Sequence, residues 1–150
     1  MAVQTSTGVK LAVVASEPAT HDAAGFEALV FVDVGEVTDI PEYGASASVV
    51  EHMPLKDGIV KKFKGFINYG SVSVPLARDV ADAGQLILSA GTTGAGKNVE
   101  HSFSVEFPDG SFQYFTGKIF SYTTNPGAAN SMVGSTVLIE INTEIVETTV

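Results

Sequence analysis

Gly91-Thr92-Thr93-Gly94-Ala95-Gly96-Lys97-Asn98 is the stretch of this sequence that comes nearest to a known chemical motif. A GxxxxGK segment cradles phosphate when a Ser or Thr follows the lysine to hold magnesium. Here Asn98 stands in that place. The order is also reversed: a phosphate loop follows a strand and opens a helix, whose N-terminus meets the anion, whereas this loop follows a helical pattern and runs into a strand pattern. It reads as a glycine-rich connector. His21, His52 and His101 sit in three separate segments, without the i, i+4 spacing of a zinc-binding helix, and read as structural or surface histidines. Serines are plentiful, but no GxSxG elbow presents one as a nucleophile. Glu140 and Glu144 fall on one side of a strand pattern, where alternate residues are about 7 Å apart. They are therefore too distant for a carboxylate pair and read as a solvated face. The sequence offers no catalytic residue, cofactor-binding residue or metal ligand, and the chain reads as a non-enzyme that needs no cofactor.

A chain of 150 residues suits one domain, taken as residues 1–150. There is no cysteine, so neither a disulfide framework nor a thiolate metal site is open to it. No apolar run reaches the length of a membrane span, and the short run Leu11 to Ala15 lacks the basic flank and longer core of a signal peptide, so no membrane insertion is expected. Net charge is −9. Residues 56–64 hold four lysines and one aspartate, which leaves −12 on the remainder. An acidic body repels nucleic acid, and a positive segment on a negative body suits head-to-tail self-association.

The elements that must position these groups are mainly strands. Residues 1–8 are small and polar and read as a flexible arm. Gly8 to Ser16 reads as a first strand, and Glu17 to Gly25 as a loop with room for one helical turn. Glu27 to Val37 alternates, with Ala28, Val30, Val32 and Val34 on one face, and reads as a strand. Ala47 to Glu51 and Ser71 to Leu76 follow as strands, the second carrying Pro75, which belongs at an edge, a bulge or a strand end. Asp79 to Ala90 is the one good helix, capped by Asp79, with Ala83, Leu86, Ile87 and Ala90 as its apolar stripe. His101 to Phe107 and Ser111 to Tyr122 form a hairpin about Pro108-Asp109-Gly110. Thr123 to Gly134 reads as a second long loop, and Thr136 to Thr148 as the last strand. There is no internal repeat and no low-complexity linker. The class is mainly β, with seven or eight strands and one helix packed on a sheet.

Met53 to Phe66 is the segment that composition singles out. Met53, Leu55, Ile59, Val60, Phe63 and Phe66 are interleaved with Lys56, Lys61, Lys62 and Lys64. It reads as a long inter-strand loop, of a length more often functional than idle. Being both apolar and basic, it needs a surface to lie on.

The wording around this loop resembles the major tail tube proteins of long-tailed, non-contractile bacteriophages, the siphophage tail tube family. The resemblance is carried by Gly35-Glu-Val-Thr-Asp-Ile40, by Ser46-Ala-Ser-Val49, by the lysine-bearing loop, and by a strand leading into Asp79-xx-Asp82-Ala-Gly-Gln85-xx-Leu88. It covers roughly residues 26–90, with a compatible strand pattern to Val150. It implies a β-sandwich or split-barrel subunit with one flanking α-helix, six-fold rings that stack into a tube, and DNA passing through without tight binding. Residues 53–66 become the stacking loop, with the six apolar residues and four lysines named above as inter-ring contacts. Ser71, Ser73, Glu140 and Glu144 become candidates for a lumen-facing wall. The implied partners are further copies of the chain, a tape-measure protein, and tail tip and terminator proteins. The implied location is the virion tail, after synthesis and assembly in the bacterial host cytoplasm. With the sequence stopping at Val150, the immunoglobulin-like decoration of some members is expected to be absent.

Two other readings stay open at this level. One is the inner tube of a contractile tail or type VI secretion system. The other is a monomeric β-sandwich that binds a receptor or carbohydrate. The glycine loop is the easiest to test. Lys97→Ala should leave folding and assembly nearly unchanged, and wild-type protein should bind neither ATP nor GTP at micromolar concentration by calorimetry. Nucleotide binding that the variant loses would restore the phosphate-loop reading.

Overall fold

The computed structural model describes residues 3–149. Among these residues nine strands and two short α-helices follow in the order β1 Lys10–Val14, α1 Ala23–Glu27, β2 Val32–Asp33, β3 Ser46–His52, β4 Lys61–Asn68, β5 Ser71–Ala77, α2 Ala83–Ala90, β6 His101–Glu106, β7 Phe112–Asn125, β8 Gly134–Ile141 and β9 Val146–Thr148. Seven strands form one antiparallel sheet in the order β2-β1-β6-β7-β8-β5, with β9 joined to β7; β3 and β4 form a separate two-stranded sheet. The expected class, mainly β with a flanking helix, holds. Of the arm expected at residues 1–8, Val3 to Gly8 is exposed, while Met1 and Ala2 lie outside the described residues.

β7 makes the sheet wrap. Its first residues pair with β6 on one side and β9 on the other; from Gly117 onward it pairs with β8. Gly117 is opposite both His101 and Ile141 at the changeover. A Cβ there would lie 2.3 Å from the Glu140 carbonyl oxygen, so only glycine permits this approach. A bulge at Phe120 adds a further bend. The inward residues of the two halves then meet: Leu11, Val13, Phe103, Val105 and Phe115 from one, Val72, Val74, Val137 and Ile139 from the other. Asp109 fixes the β6–β7 turn as its sequence indicates, accepting from the Ser111 N–H at 2.9 Å.

Four local expectations need correction. Glu27 to Val37 is not one strand. Asp22 caps α1 by accepting from Gly25 N–H at 2.7 Å, and Phe26 is buried in a stack on Tyr114. Val30 is left exposed, and only Val32 and Asp33 pair with β1. Helix packing of one aromatic overrode the alternation. The main helix begins later than Asp79. Its cap is Asp82, whose carboxylate accepts from Gln85 N–H at 3.0 Å. The buried stripe accordingly shifts to Gly84, Gln85 and Leu88, leaving Leu86 exposed. The last strand is broken into β8 and β9, and the loop expected from Thr123 begins only after Asn125. Pro75 sits on an edge strand, as a missing N–H requires: its carbonyl accepts from Thr38 N–H at 3.0 Å on the side away from β8.

The Asp82–Gln85 motif proves to be a structural clamp. Asp82 also accepts from Gly35 N–H at 3.1 Å. The Gln85 side-chain amide donates to the Gly35 and Ala77 carbonyls and accepts from Asp79 N–H, at 2.9–3.0 Å. Between the two residues, a Cβ on Gly84 would lie 2.4 Å from the Asp33 carbonyl oxygen and 2.7 Å from the Val34 Cα. Gly→Ala in an exposed helix interior stabilises by about 1 kcal/mol. Gly84→Ala should do the reverse, destabilising by about 1–3 kcal/mol as an overpacked site, because the obstacle is backbone. Urea denaturation followed by circular dichroism measures the sign.

Candidate assembly surface

β3 and β4 form a hairpin that stands clear of the main sheet. Val50 is opposite Phe63, Glu51 opposite Lys62 and His52 opposite Lys61. Alternation then places Ser48, Val50, His52, Lys61 and Phe63 on one face, and Ala47, Val49, Glu51, Lys62, Lys64 and Ile67 on the other. The loop expected over Met53 to Phe66 is thus half strand: residues 53–60 form the loop, and Lys61 to Phe66 belong to β4. Neither face is buried, so the apolar-polar contrast that marks a strand is missing from the sequence. A turn closed by Gly58 N–H on the Pro54 carbonyl, 3.2 Å, places Leu55 and Lys56 at the tip.

Among the described residues, nothing covers the hairpin's apolar side chains. Val49, Val50, Met53, Leu55, Ile59, Val60, Phe63, Phe66 and Ile67 are all exposed, Leu55 completely and Phe66 at 91%. A two-stranded hairpin is marginally stable alone, and large contiguous apolar exposure marks an interaction site. Lys61 pairs with Asp57 at 3.3 Å; among the described residues, Lys56, Lys62 and Lys64 have no acidic partner. All ten residues singled out from sequence as assembly contacts therefore lie on one projecting element, five of them in β4 and two in the tip turn, and Val49, Val50 and Ile67 join them. Those three escaped notice because the pairing that sets Val49 opposite Lys64, Val50 opposite Phe63 and Ile67 opposite Ala47 is not visible in sequence order.

The polar wall is partly assembled. Ser71 is opposite Glu140 across the β5–β8 pair, and Ser73 is opposite Leu138, so Ser71, Ser73 and Glu140 share the outward face. Glu144 does not join them. It lies in the break between β8 and β9, where its carbonyl faces His21 Nε2 at 2.9 Å. Lys118 is opposite Glu140 on β7 and adds a cation that sequence order did not bring to this face. Beyond β5, the segment Glu36 to Thr38 covers the edge only at Pro75 to Ala77. Residues 71–74 have no partner on that side among the described residues.

The groups considered for chemistry stay apart. The Gly91–Asn98 stretch leaves the end of α2 and forms a 3-10 turn, Gly94–Asn98, with Lys97 exposed. His21 packs edge-on against Phe26, and His52 is on the hairpin. His101 is 2% exposed, with Nδ1 at 3.0 Å from the Val99 carbonyl, which makes Nδ1 the protonated nitrogen of a neutral ring. Burial pushes its pKa below the usual histidine value, against smaller opposing effects of the Val99 hydrogen bond and Glu100.

No family model and no curated protein matches this chain. Solved structures do. One is described as the tail of an empty gene transfer agent particle refined with C6 helical symmetry: 15% identity, 98% of this chain and 100% of the other, TM-score 0.68. A second, the virion of a native gene transfer agent particle, gives 14% identity, 98% and 100% coverage, and a TM-score of 0.67. A third, the baseplate of the anti-feeding prophage, six-fold symmetrised, gives 7% identity, 99% and 97% coverage, and 0.65. At these identities the likeness is one of fold: the chain has the fold of components of phage-like tail particles, across its whole described length.

The buried imidazole sets a pH dependence. A histidine whose folded pKa lies below its unfolded value, about 6.5, binds its proton more readily in the unfolded chain. Stability is therefore full above the unfolded pKa and falls as pH drops below it. Asp22 is held below the ordinary carboxylate range by the Gly25 N–H and Asp109 by Ser111, so they act only at more acid pH. Wild type should melt at lower temperature at pH 5.5 than at pH 7.5, and His101→Leu should flatten that difference, measured by thermal denaturation across the range.

Proposed function

We propose that this chain is a structural subunit of a virion tail tube, assembling into stacked rings through which DNA passes. The observation that carries the reading is the β3–β4 hairpin, an element exposed on both faces, rich in apolar residues and unpaired with the rest of its own chain. Such an arm gains its stability on a neighbour. The fold likeness to a gene transfer agent tail supports the same reading, and the six-fold symmetry of that particle is the model for the ring number. The sheet edge at residues 71–74 would be paired by the adjacent subunit, which removes the hazard of an open edge. The face bearing Ser71, Ser73 and Glu140 would line the channel. Its mixed, weakly charged character suits passage without gripping, since a wall of lysines and arginines would bind phosphate. Tape-measure, tip and terminator proteins would meet the same tube at its inside and ends, in the bacterial cytoplasm where it is built. A non-enzymatic role accords with the kind of particle whose components share this fold.

The likeness to an anti-feeding prophage baseplate favours a second reading, a tube or baseplate ring from another class of tail particle. Both readings require self-assembly; the monomeric β-sandwich reading does not. Burying one large apolar side chain is worth about 1.5–3 kcal/mol, against about 0–1 kcal/mol for an exposed ion pair. Phe63, Leu55 and Ile59 should therefore hold the contact, while Lys62 and Lys64 guide approach and register. Negative-stain electron microscopy of purified protein should show rings or tubes. Phe63→Ala and deletion of residues 56–64 should each leave a soluble, β-rich subunit without tubes. Changing Lys61, Lys62 and Lys64 to glutamate should slow assembly, most at low salt. Normal tubes from the deletion variant would overturn the stacking role.

A further inference from the structure

The segment that gave the sequence its Gly35-Glu-Val-Thr-Asp-Ile40 wording does more than turn a corner. It forms one wall of an open cleft of about 510 Å³, within the size range of ligand-binding clefts, about 300–1,000 Å³. Val37, Ile40, Pro41 and Tyr43 meet Val9, Val105 and Phe107 across it. The lining includes two carboxylates, Asp39 and Glu42, and no basic residue. Both carboxylates are exposed, while Ile40, Pro41 and Tyr43 are half-buried. The cleft is thus apolar within and acidic at its edge. The Tyr43 hydroxyl is tied to Gln113, and burial, then Glu147, pushes its pKa up to about 12, so the tyrosine stays neutral.

The tip of the hairpin has the opposite make-up. Leu55 is fully exposed, Lys56 beside it has no acidic partner among the described residues, and Met53 and Ile59 flank the turn in solvent. Leucine next to lysine at a turn apex puts one apolar knob and one cation side by side at the tip. A smaller hollow over Tyr114, about 300 Å³, also has carboxylates at its lip, but there Lys10 already meets Glu106 at 3.8 Å.

We infer that the cleft beside Ile40 is the seat for the hairpin tip of a second copy, with Leu55 entering between Ile40, Tyr43 and Phe107 and Lys56 lying between Asp39 and Glu42. This rests on the assembly reading and specifies the receiving surface for it. The contact is heterologous, one surface meeting a different one, so it propagates along an axis instead of closing a pair. That is the geometry stacking requires.

The absence of cysteine gives a clean test. Leu55→Cys protein is mixed with Ile40→Cys protein under assembly conditions and oxidised; a Val30→Cys protein, exposed elsewhere, serves as control. A Leu55–Ile40 disulfide between copies, without a Val30 product, is the expected result. In parallel, Lys56→Glu should raise the concentration needed for assembly about threefold at low salt, the scale of one exposed ion pair, and Glu42→Lys in the same chain should restore it. Tubes that form normally with neither the cross-link nor the charge rescue would overturn the seat and leave the assembly reading intact. A disulfide found only within single chains of a doubly substituted protein would also overturn it. Wild-type protein that never self-associates would overturn both.

Discussion

Gln85 is 3% exposed, and its amide bonds three backbone groups from three different segments: Gly35 after β2, Ala77 at the end of β5, and Asp79 ahead of α2. With Asp82 it locks the helix start to the corner where the chain leaves β2. A buried polar group left unpaired costs about 1–3 kcal/mol, so loss of this amide would expose three backbone groups to that penalty at once. The consequence reaches well beyond the clamp. Glu36 sits with φ at +61° in the left-handed region, an unfavoured conformation for a residue with a Cβ, and it persists because the clamp fixes Gly35 immediately before it. That bend returns residues 36–38 to the edge of β5 and sends residues 39–43 along the wall of the acidic cleft.

The apolar residues of the chain divide into two populations with different roles. Most of those of the wrapped sheet and α2 are committed to one core, where Phe103, Phe115, Leu88 and Val74 are almost without exposure; Leu86 and Phe120 are exceptions. Those of the hairpin are committed to nothing within the chain. The fold of the chain is therefore stabilised mainly by its wrapped sheet and α2, and the proposed assembly surface is separate from the surface that folds. Under that proposal a subunit could be stable before it assembles.

Charge is divided along the same line. The unpaired lysines concentrate on the hairpin, while Asp39 and Glu42 edge the cleft. Attraction between unlike ends and repulsion between like ends both favour head-to-tail contact over side-by-side clumping. These forces are weak and salt-sensitive, so they bear on the order and rate of assembly more than on its final strength.

The sequence alone determined the class, the turn at Pro108 to Gly110 and the place of the main helix to within one turn, because each depends on local chemistry: alternation, a Pro-Asp-Gly turn or a capping carboxylate. Composition also singled out Met53 to Phe66 as a segment whose apolar residues the core does not take up. The sequence also argues against a phosphate loop, since Asn98 and the element order both depart from one. Tertiary structure decided the rest. Phe26 found Tyr114, and the helical turn allowed before Gly25 extends to Glu27, where a strand was expected to start; no local propensity announces a stack made across 88 positions of chain. The second strand of the hairpin looked like a loop because it has no buried face to create alternation, and only pairing of Val50 with Phe63 reveals it. Glu144 left the face of Glu140 because β8 ends at Ile141, and Lys118 arrived there because β7 runs alongside. The cleft, too, exists only in three dimensions, since its walls come from the chain just ahead of β1, from β6 and its end, from β7 and from the segment after β2, which no spacing in sequence brings together.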